Sequence, residues 1–333
     1  MLCIAVENRS LCTGCSACYN VCPQDCITMK SDNYGFLYPE LNENDCVDCG
    51  LCFKVCPEQH HELLNRIQLP KVCYAAKHIN DNVLMESSSG GAFSAIVQCF
   101  DDKTHVFGAS YDEKMHVVHR SATGNDKHKM FQKSKYVQSD LKNSFNEIKT
   151  LLVTGENVLL SGTPCQIAGL RCFLGESYEN LFCIEILCHG AASPGVYDDY
   201  INYLEDRFNS RVRNFVFRDK HRGKGMWRDF LTTIEFNNGT RILDCYDLYT
   251  RGFLNSLFVR ESCLTCPYAC MERIGDIVIG DFWGVENFDS ELYTENGVSL
   301  VIPITTKGRT IIEHLFNYME LKEVPIQYAI DGN

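Results

Sequence analysis

Two cysteine runs of identical spacing near the start of the chain constrain its fold more than any other feature. The first run is Cys12, Cys15, Cys18 and Cys22, followed by Pro23, and the second is Cys46, Cys49, Cys52 and Cys56, followed by Pro57. Each cysteine of the first run recurs 34 residues later in the second. The pattern C-x2-C-x2-C-x3-C-P, present twice, is typical of a segment that wraps around metal clusters.

This spacing predicts which thiols share a cluster. In the bacterial arrangement three thiolates of a run bind one cubane, and the fourth binds the other. We therefore predict two [4Fe-4S] clusters, one on Cys12, Cys15, Cys18 and Cys56 and the other on Cys46, Cys49, Cys52 and Cys22. Zinc is the alternative, because C-x2-C pairs also suit a tetrahedral site. Cys3 and Cys26 stay outside this assignment, and we expect them to be packing or exposed thiols.

Composition narrows the class of protein further. The first ten residues lack a basic-then-apolar export signal, and no stretch approaches the roughly 18–20 apolar residues of a membrane span. We therefore expect a cytoplasmic protein without a membrane span, in which the 20 cysteines are metal ligands or catalytic groups rather than disulfides. The net charge of −12 argues against nucleic-acid binding, which needs a basic surface.

The drop in cysteine density after the polar stretch 58–68 predicts a domain boundary. We expect a ferredoxin-type domain with two clusters at 1–66 and a larger domain at 67–333, with parts at about 72–150 and 151–333. Strand patterns lie at 72–76, 106–111, 158–161, 181–187, 213–218, 230–235 and 274–279, and helical patterns at about 91–100 and 166–174. The predicted fold class is α+β, a small ferredoxin-like domain fused to a larger α/β domain with a mixed sheet. No G-x-G-x-x-G or Walker A motif follows a strand, so a standard dinucleotide or P-loop site is not supported.

Cysteines of the larger domain form a second set of candidates. Cys165 opens a predicted helix, whose N-terminus lowers a thiol pKa, and Cys188 ends a predicted strand. Open α/β sheets bind ligands at the carboxyl ends of their strands, so we expect these two cysteines to converge. The pair Cys263 and Cys266 would complete a four-thiolate site, which we interpret as a third cluster. Zinc, a dithiol or, for Cys165, simple packing are the alternatives, and Cys270 competes with Cys188.

Other segments suggest an anionic or planar ligand. The run 87–91, Ser-Ser-Ser-Gly-Gly, leads into a helix whose free amides suit a phosphate, although an ordinary capped helix is the commoner explanation. Basic runs at 127–129, 133–135 and 218–224 suit phosphate or polycarboxylate, or are solvated surface. Tyr136, Trp227 and Trp283 suit stacking on a planar ring or packing in the core.

Together these segments resemble the coenzyme F420 hydrogenase/dehydrogenase beta-subunit family. The matching stretches are 88–91, 134–139, 161–166, 188–190, 217–220 and 263–284, in order over nearly all of 72–300. The resemblance implies an FAD-binding α/β domain with its own [4Fe-4S] cluster. Carried over by motif, the third-cluster ligands are Cys165, Cys188, Cys263 and Cys266, and the residues near FAD are Ser89, Gly90, Gly91, Lys133, Ser134 and Lys135.

The function implied is that of an iron–sulfur flavoprotein oxidoreductase, with no catalytic residue assigned. Electrons would pass through FAD between the ferredoxin-type clusters and a small hydride donor or acceptor, such as F420 or an F420-like molecule. The partner would be a ferredoxin or a larger oxidoreductase complex, and the alternative function is a non-enzymatic relay subunit of such a complex. The family leads us to expect residues beyond Asn333, so a C-terminal segment is expected to be missing.

Overall fold

The computed structural model describes residues 8–220 and 226–332. Within them lie fifteen strands: β1 (Ile27–Ser31), β2 (Leu37–Leu41), β3 (Ile67–Gln68), β4 (Val72–His78), β5 (His105–Tyr111), β6 (Val117–Ala122), β7 (Val158–Gly162), β8 (Leu181–Ile186), β9 (Val212–Val216), β10 (Leu231–Phe236), β11 (Arg241–Cys245), β12 (Glu272–Arg273), β13 (Ile277–Asp281), β14 (Ser299–Pro303) and β15 (Met319–Pro325). The α-helices of the same residues are α1 (Ala17–Val21), α2 (Leu51–Lys54), α3 (Asp81–Met85), α4 (Ala92–Gln98), α5 (Ser144–Val153), α6 (Pro164–Leu174), α7 (Pro194–Phe208), α8 (Leu248–Leu254), α9 (Thr306–Leu315) and α10 (Ile326–Gly332).

An eight-stranded mixed sheet forms the centre of the molecule, in the order β15-β4-β14-β13-β8-β7-β5-β6. The four strands β13, β8, β7 and β5 run parallel to their neighbours within this group, while the outer strands pair antiparallel. The carboxyl ends of the four parallel strands therefore meet at one edge of the sheet, which is where such sheets bind ligands.

Apolar side chains of the central strands pack on both faces of the sheet. Because successive strand residues point to opposite faces, Leu160 joins a cluster with α5 and α6, whereas Leu159 joins one with α4 and α9. Strands covered on both faces read as continuous apolar runs, as β7 and β8 do. The expected mixed sheet and the α+β class are confirmed.

The cysteine-rich N-terminal segment packs directly against the larger part of the chain. It contains the antiparallel hairpin β1–β2 and the short helices α1 and α2. Arg260, which is fully buried, donates from Nε to the carbonyl of Cys12 at 2.7 Å and from a terminal nitrogen to the carbonyl of Leu37 at 3.1 Å. Its third hydrogen bond, at 3.0 Å, goes to the Gln138 side chain. One buried cation thus joins the two parts of the chain.

The expected strands and helices are present, with ends that differ by at most three residues. In the larger domain the prediction missed the strands β3, β6, β11, β12, β14 and β15, and the helices α3, α5, α7, α8, α9 and α10. Of the basic run at 218–224, His221, Arg222 and Lys224 lie outside the described residues. None of the helices in 8–220 and 226–332 is long and apolar enough to cross a membrane.

Candidate iron–sulfur and flavin sites

The first predicted cysteine set surrounds a single space. Cys12, Cys15, Cys18 and Cys56 line it, and it measures about 350 Å³ with the adjoining open solvent included. Residues Gly14 and Ser16, with φ of 69° and 62°, bend the backbone tightly around Cys15. Burial raises the pKa of Cys15 well above its ordinary value and that of Cys56 to about 11, and neighbouring thiols add to both shifts. Such sulfurs are poor thiolates by themselves and suit a cationic metal core that offsets their charge.

The second predicted set surrounds a similar space. Cys22, Cys46, Cys49 and Cys52 line it together with Cys26, and it measures about 400 Å³ with the adjoining open solvent included. The backbone repeats the bends of the first run 34 residues later, because Asp48 and Gly50 have φ of 49° and 71°. Cys49 is exposed, so this set lies nearer the surface than the first, in which Cys12 and Cys56 are buried.

Both sets fit a multi-iron cluster better than a single ion. In a zinc site four sulfurs lie about 2.3 Å from one common point. Among residues 8–220 and 226–332, no three His, Cys, Asp or Glu side chains are arranged to hold one metal ion. The C-x2-C-x2-C-x3-C spacing of both runs is instead typical of four-iron clusters. No disulfide links the cysteines of these residues.

The larger domain brings Cys165, Cys188, Cys263 and Cys266 together. Cys165 lies in the first turn of α6 behind β7, where Thr163 and Gln166 form a capping box. Cys188 follows β8, the parallel neighbour of β7. The sulfur of Cys263 accepts a hydrogen bond from the amide of Ala191, three residues after Cys188, at 3.3 Å. The expected convergence at the strand ends is therefore present in the structure.

The pKa prediction for Cys165 was wrong. The helix N-terminus was expected to lower it, but burial raises it, and the sulfurs of Cys188, Cys263 and Cys266 raise it further. Burial also raises the pKa of Cys188 to about 12, with Cys263 as the next cause. Desolvation and like charges thus outweigh the helix dipole here.

Cys270 stands apart from this group. Its thiol donates to the carbonyl of Glu272 at 3.3 Å, and Arg66 donates to its sulfur at 3.7 Å. The largest causes of the pKa shifts of Cys165, Cys188 and Cys263 include other cysteines of this group but not Cys270. The geometry therefore groups Cys188, rather than Cys270, with the other three cysteines.

The third cysteine group is close to the first cysteine set. A β-carbon on Gly169, one turn after Cys165 in α6, would lie 2.8 Å from Cβ and 2.9 Å from Sγ of Cys15. Cys15, Cys165 and Cys266 pack against the same apolar cluster. Tyr268 belongs to this cluster and donates to Glu58 at 2.8 Å. These contacts leave little protein between the two groups of sulfurs.

Basic side chains gather at the same edge of the sheet, near the predicted flavin residues. Lys220 is buried and donates to the carbonyls of Ser89 and Asn296 at 2.9 and 2.7 Å. Burial lowers the pKa of Lys220 to about 7, and the charges of Arg218 and Lys133 lower it further. Arg218 pairs with Asp281, at the end of β13, at 2.5 Å. We call Lys133, Arg218 and Lys220 the basic cluster.

The six predicted flavin residues are close together, with different local roles. The amide of Ser134 donates to the hydroxyl of Ser88 at 2.8 Å, which joins the two loops. Lys133 pairs with Glu86 at 2.8 Å. Lys135 is directed into its own loop, where its ammonium donates to the carbonyls of residues 131, 132 and 133, and burial lowers its pKa to about 7.

Gly90 and Gly91 are glycines because the chain packs too closely there for a side chain, which the sequence did not reveal. A β-carbon on Gly90 would overlap the carbonyl oxygen of Ala76, and one on Gly91 would lie 2.9 Å from Cβ of His78. The hydroxyl of Ser89 donates to the carbonyl of Val298 at 3.0 Å. These residues hold the start of α4 against the sheet, whatever ligand lies nearby.

The aromatic candidates pack mainly on one another. Trp227 is buried and stacks on Trp283, with ring centres 4.7 Å apart and planes within 8°. Tyr136 stacks on Phe253 with ring centres 4.7 Å apart. The core alternative therefore accounts for Trp227 and Tyr136.

Sequence reasoning missed several residues that shape these sites. Arg260 precedes Cys263 and reaches the first cysteine set, but nothing in its local sequence marks it. Gly169 was visible as a glycine inside a helical pattern, which often signals a close approach. Cys26 was noted only as a leftover thiol, although it lines the second cysteine space.

Comparison with known proteins agrees with this geometry. Residues 11–60 match a 4Fe-4S dicluster domain, which makes the chain an iron–sulfur electron-transfer protein. Residues 155–327 match the family described as the C terminus of the coenzyme F420 hydrogenase/dehydrogenase beta subunit. This match spans just over half of the chain, and the chain belongs to that family.

Among solved structures, a chain of the F420-reducing [NiFe] hydrogenase complex from Methanosarcina barkeri, studied by xenon derivatization, is similar with a TM-score of 0.49. The two chains are 17% identical, and the similarity covers 80% of this chain and 85% of that one. No curated protein matches the sequence.

Proposed function

We propose that this chain is an iron–sulfur flavoprotein oxidoreductase that passes electrons between its ferredoxin-type clusters and a hydride-exchanging small molecule, through a third [4Fe-4S] cluster and FAD. In this proposal residues 1–66 are the ferredoxin-type domain and 67–333 the flavin-binding domain, and the protein works in the cytoplasm. F420 or an F420-like molecule is the substrate class that the family suggests. A ferredoxin or a larger redox complex is the partner.

The carrying observation is the contact between Gly169 and Cys15. It brings the helix that bears Cys165 against a proposed ligand of the first ferredoxin cluster. The three cysteine groups then form a series, with the exposed Cys49 at one end and the Cys165 group at the other. Such a series is what a one-electron conduit from the surface to an internal redox site requires.

The residues of the third group suit a four-iron cluster. Four thiols from three separate segments converge, and burial and mutual repulsion disfavour their charged forms unless a metal core offsets them. The amide of Ala191 donates to the sulfur of Cys263, which is the kind of contact that tunes a cluster potential. We propose Cys188 as the fourth ligand because Cys270 has other partners.

The basic cluster supports an anionic cofactor at the same edge of the sheet. Lys220 and Arg218 are buried, and Nε of Arg218 has no hydrogen-bond partner among the described residues. A buried group of cations is stabilised by an anion with several oxygens, and we propose that the FAD pyrophosphate fills this role. Lys133 and Ser134 would contact it, while Lys135 holds their loop in shape. Bound FAD would supply the exchange of a hydride pair for single electrons.

The third cluster is tested by comparing Cys263→Ser with Cys270→Ser after anaerobic purification. The proposal expects C263S to lose about four irons per chain while the two ferredoxin clusters keep about eight. The matched control C270S changes a neighbouring cysteine that ligates nothing here, and it should keep the wild-type iron content. Equal iron in C263S and wild type would refute the assignment, and iron loss in both variants would make Cys270 rather than Cys188 the fourth ligand.

Turnover separates an enzyme from a relay subunit. The loaded wild-type chain should reduce or oxidise F420, or an artificial hydride acceptor, with a reduced or oxidised ferredoxin as the second substrate. A protein that contains all its clusters and FAD but is inactive with every acceptor would favour the relay function.

A further inference from the structure

Cys26 occupies a position where the two halves of the ferredoxin repeat differ. The fourth cysteine of each run is followed four residues later by Cys26 in one half and by His60 in the other. Cys26 is only 6% exposed and lines the same space as Cys22, Cys46, Cys49 and Cys52. The second space is therefore surrounded by five thiols rather than four.

Two of these five sulfurs compete for the same iron of the predicted cubane cluster. Sγ of Cys22 and Sγ of Cys26 lie 3.3 Å apart. A cubane has four irons, of which Cys46, Cys49 and Cys52 take three, so a single iron remains for Cys22 and Cys26. The backbone holds Cys26 in place, because its carbonyl accepts a hydrogen bond from the amide of Asn42 at 2.8 Å and β1 begins at the next residue.

The other half of the repeat has no such arrangement. The ring of His60 packs edge-on against Phe53 with ring centres 5.0 Å apart, and its Nδ1 lies 2.8 Å from a carboxylate oxygen of Glu62. His60 does not line the space around Cys56, whereas Cys26 does line the space around Cys22. The difference provides a control within the same chain.

We propose that Cys26 is a reserve ligand of the outer cluster, able to bind the iron that Cys22 otherwise binds. In the exchange, the iron–sulfur bond to Cys22 breaks and that to Cys26 forms. The proton of the Cys26 thiol passes to the released sulfur of Cys22 across their hydrogen bond, and no electron is transferred. The iron that Cys22 binds is thereby protected against loss from the cluster.

The test uses Cys22→Ala, the double variant Cys22→Ala/Cys26→Ala and the control Cys56→Ala, all purified anaerobically. Iron content, and the EPR spectra of the oxidised and the reduced protein, are measured in each. C22A should keep the wild-type iron content and the reduced-state signals of both ferredoxin-type four-iron clusters. The double variant should lose at least one iron per chain and show an oxidised three-iron signal, and C56A should lose iron in the same way.

The inference rests on the proposed outer cluster, the one on Cys22, Cys46, Cys49 and Cys52. Different results would refute that cluster and the reserve role of Cys26. A wild-type chain whose N-terminal segment binds no iron would refute the outer cluster itself. Iron loss in C22A equal to that of the double variant would refute only the reserve role of Cys26. If C22A is insoluble, Cys22→Val is compared with Cys22→Val/Cys26→Val, and equal iron in that pair overturns the proposal.

Discussion

Replacement of Arg260 by methionine should loosen the N-terminal segment without unfolding the larger domain. The guanidinium satisfies the carbonyls of Cys12 and Leu37 and the side chain of Gln138, and it lies 4.0 Å from the ring centre of Tyr38. Methionine keeps the apolar packing but leaves three acceptors without their donor. Each buried acceptor costs about 1–3 kcal/mol, so we expect a loss of roughly 3–6 kcal/mol once water reaches some of them.

Hydrogen–deuterium exchange of the cluster-loaded protein measures this loss locally. Since about 1.4 kcal/mol is a factor of ten, protected amides in 12–37 should exchange roughly 10²- to 10⁴-fold faster in R260M. The control is Arg213→Met, whose side chain is 63% exposed and whose ion pair with Glu235 is worth about 0–1 kcal/mol. If the amides of residues 12–37 exchange at the same rate in R260M as in the wild type, Arg260 does not fix the ferredoxin segment in place.

Three further predictions concern the flavin site, the contact between clusters and the sheet edge. Lys220→Met should lower the FAD content. Burial lowers the pKa of Lys220 to about 7, so the lysine loses its charge above that pH, and the FAD affinity of the wild type should fall as pH rises through about 7. Equilibrium dialysis at pH 6 and pH 8 checks this, and equal affinities at the two pH values would contradict it. Gly169→Ala should displace Cys15 and lower the free energy of unfolding by about 1–3 kcal/mol. We expect an altered EPR signal of one ferredoxin cluster and a lower thermal midpoint. An unchanged EPR spectrum would count against the close contact between Gly169 and Cys15. Gly90→Ala, whose β-carbon would overlap the Ala76 carbonyl, should cost about 3 kcal/mol or more. A thermal midpoint equal to that of the wild type would show that Gly90 does not lie so close to β4.

The sequence predicted those parts of the site that depend on the spacing of neighbouring residues or on a position at the end of a strand. The two ferredoxin sets follow from spacing alone, because each run wraps a short backbone around one cluster. Cys165 and Cys188 were expected together because parallel strands place their carboxyl ends at one edge. These expectations needed no knowledge of distant contacts.

The missed features depend on contacts between distant segments. Arg260 bonds to Cys12, which lies 248 residues earlier, and no local pattern distinguishes it from a surface arginine. The pKa of Cys165 was misjudged because the helix position is visible in the sequence, whereas burial and three neighbouring thiols are not. Strand β14 was missed although all five of its residues are buried, since a short apolar run does not by itself distinguish a strand from a helix.

Iron, sulfide and released-flavin analysis of the anaerobically purified wild-type chain tests the central claim most directly. Three four-iron clusters and one flavin predict about twelve irons, about twelve sulfides and about one FAD per chain. About eight irons without flavin would leave only the ferredoxin-type domain and contradict the proposed path from clusters to a hydride-exchanging substrate.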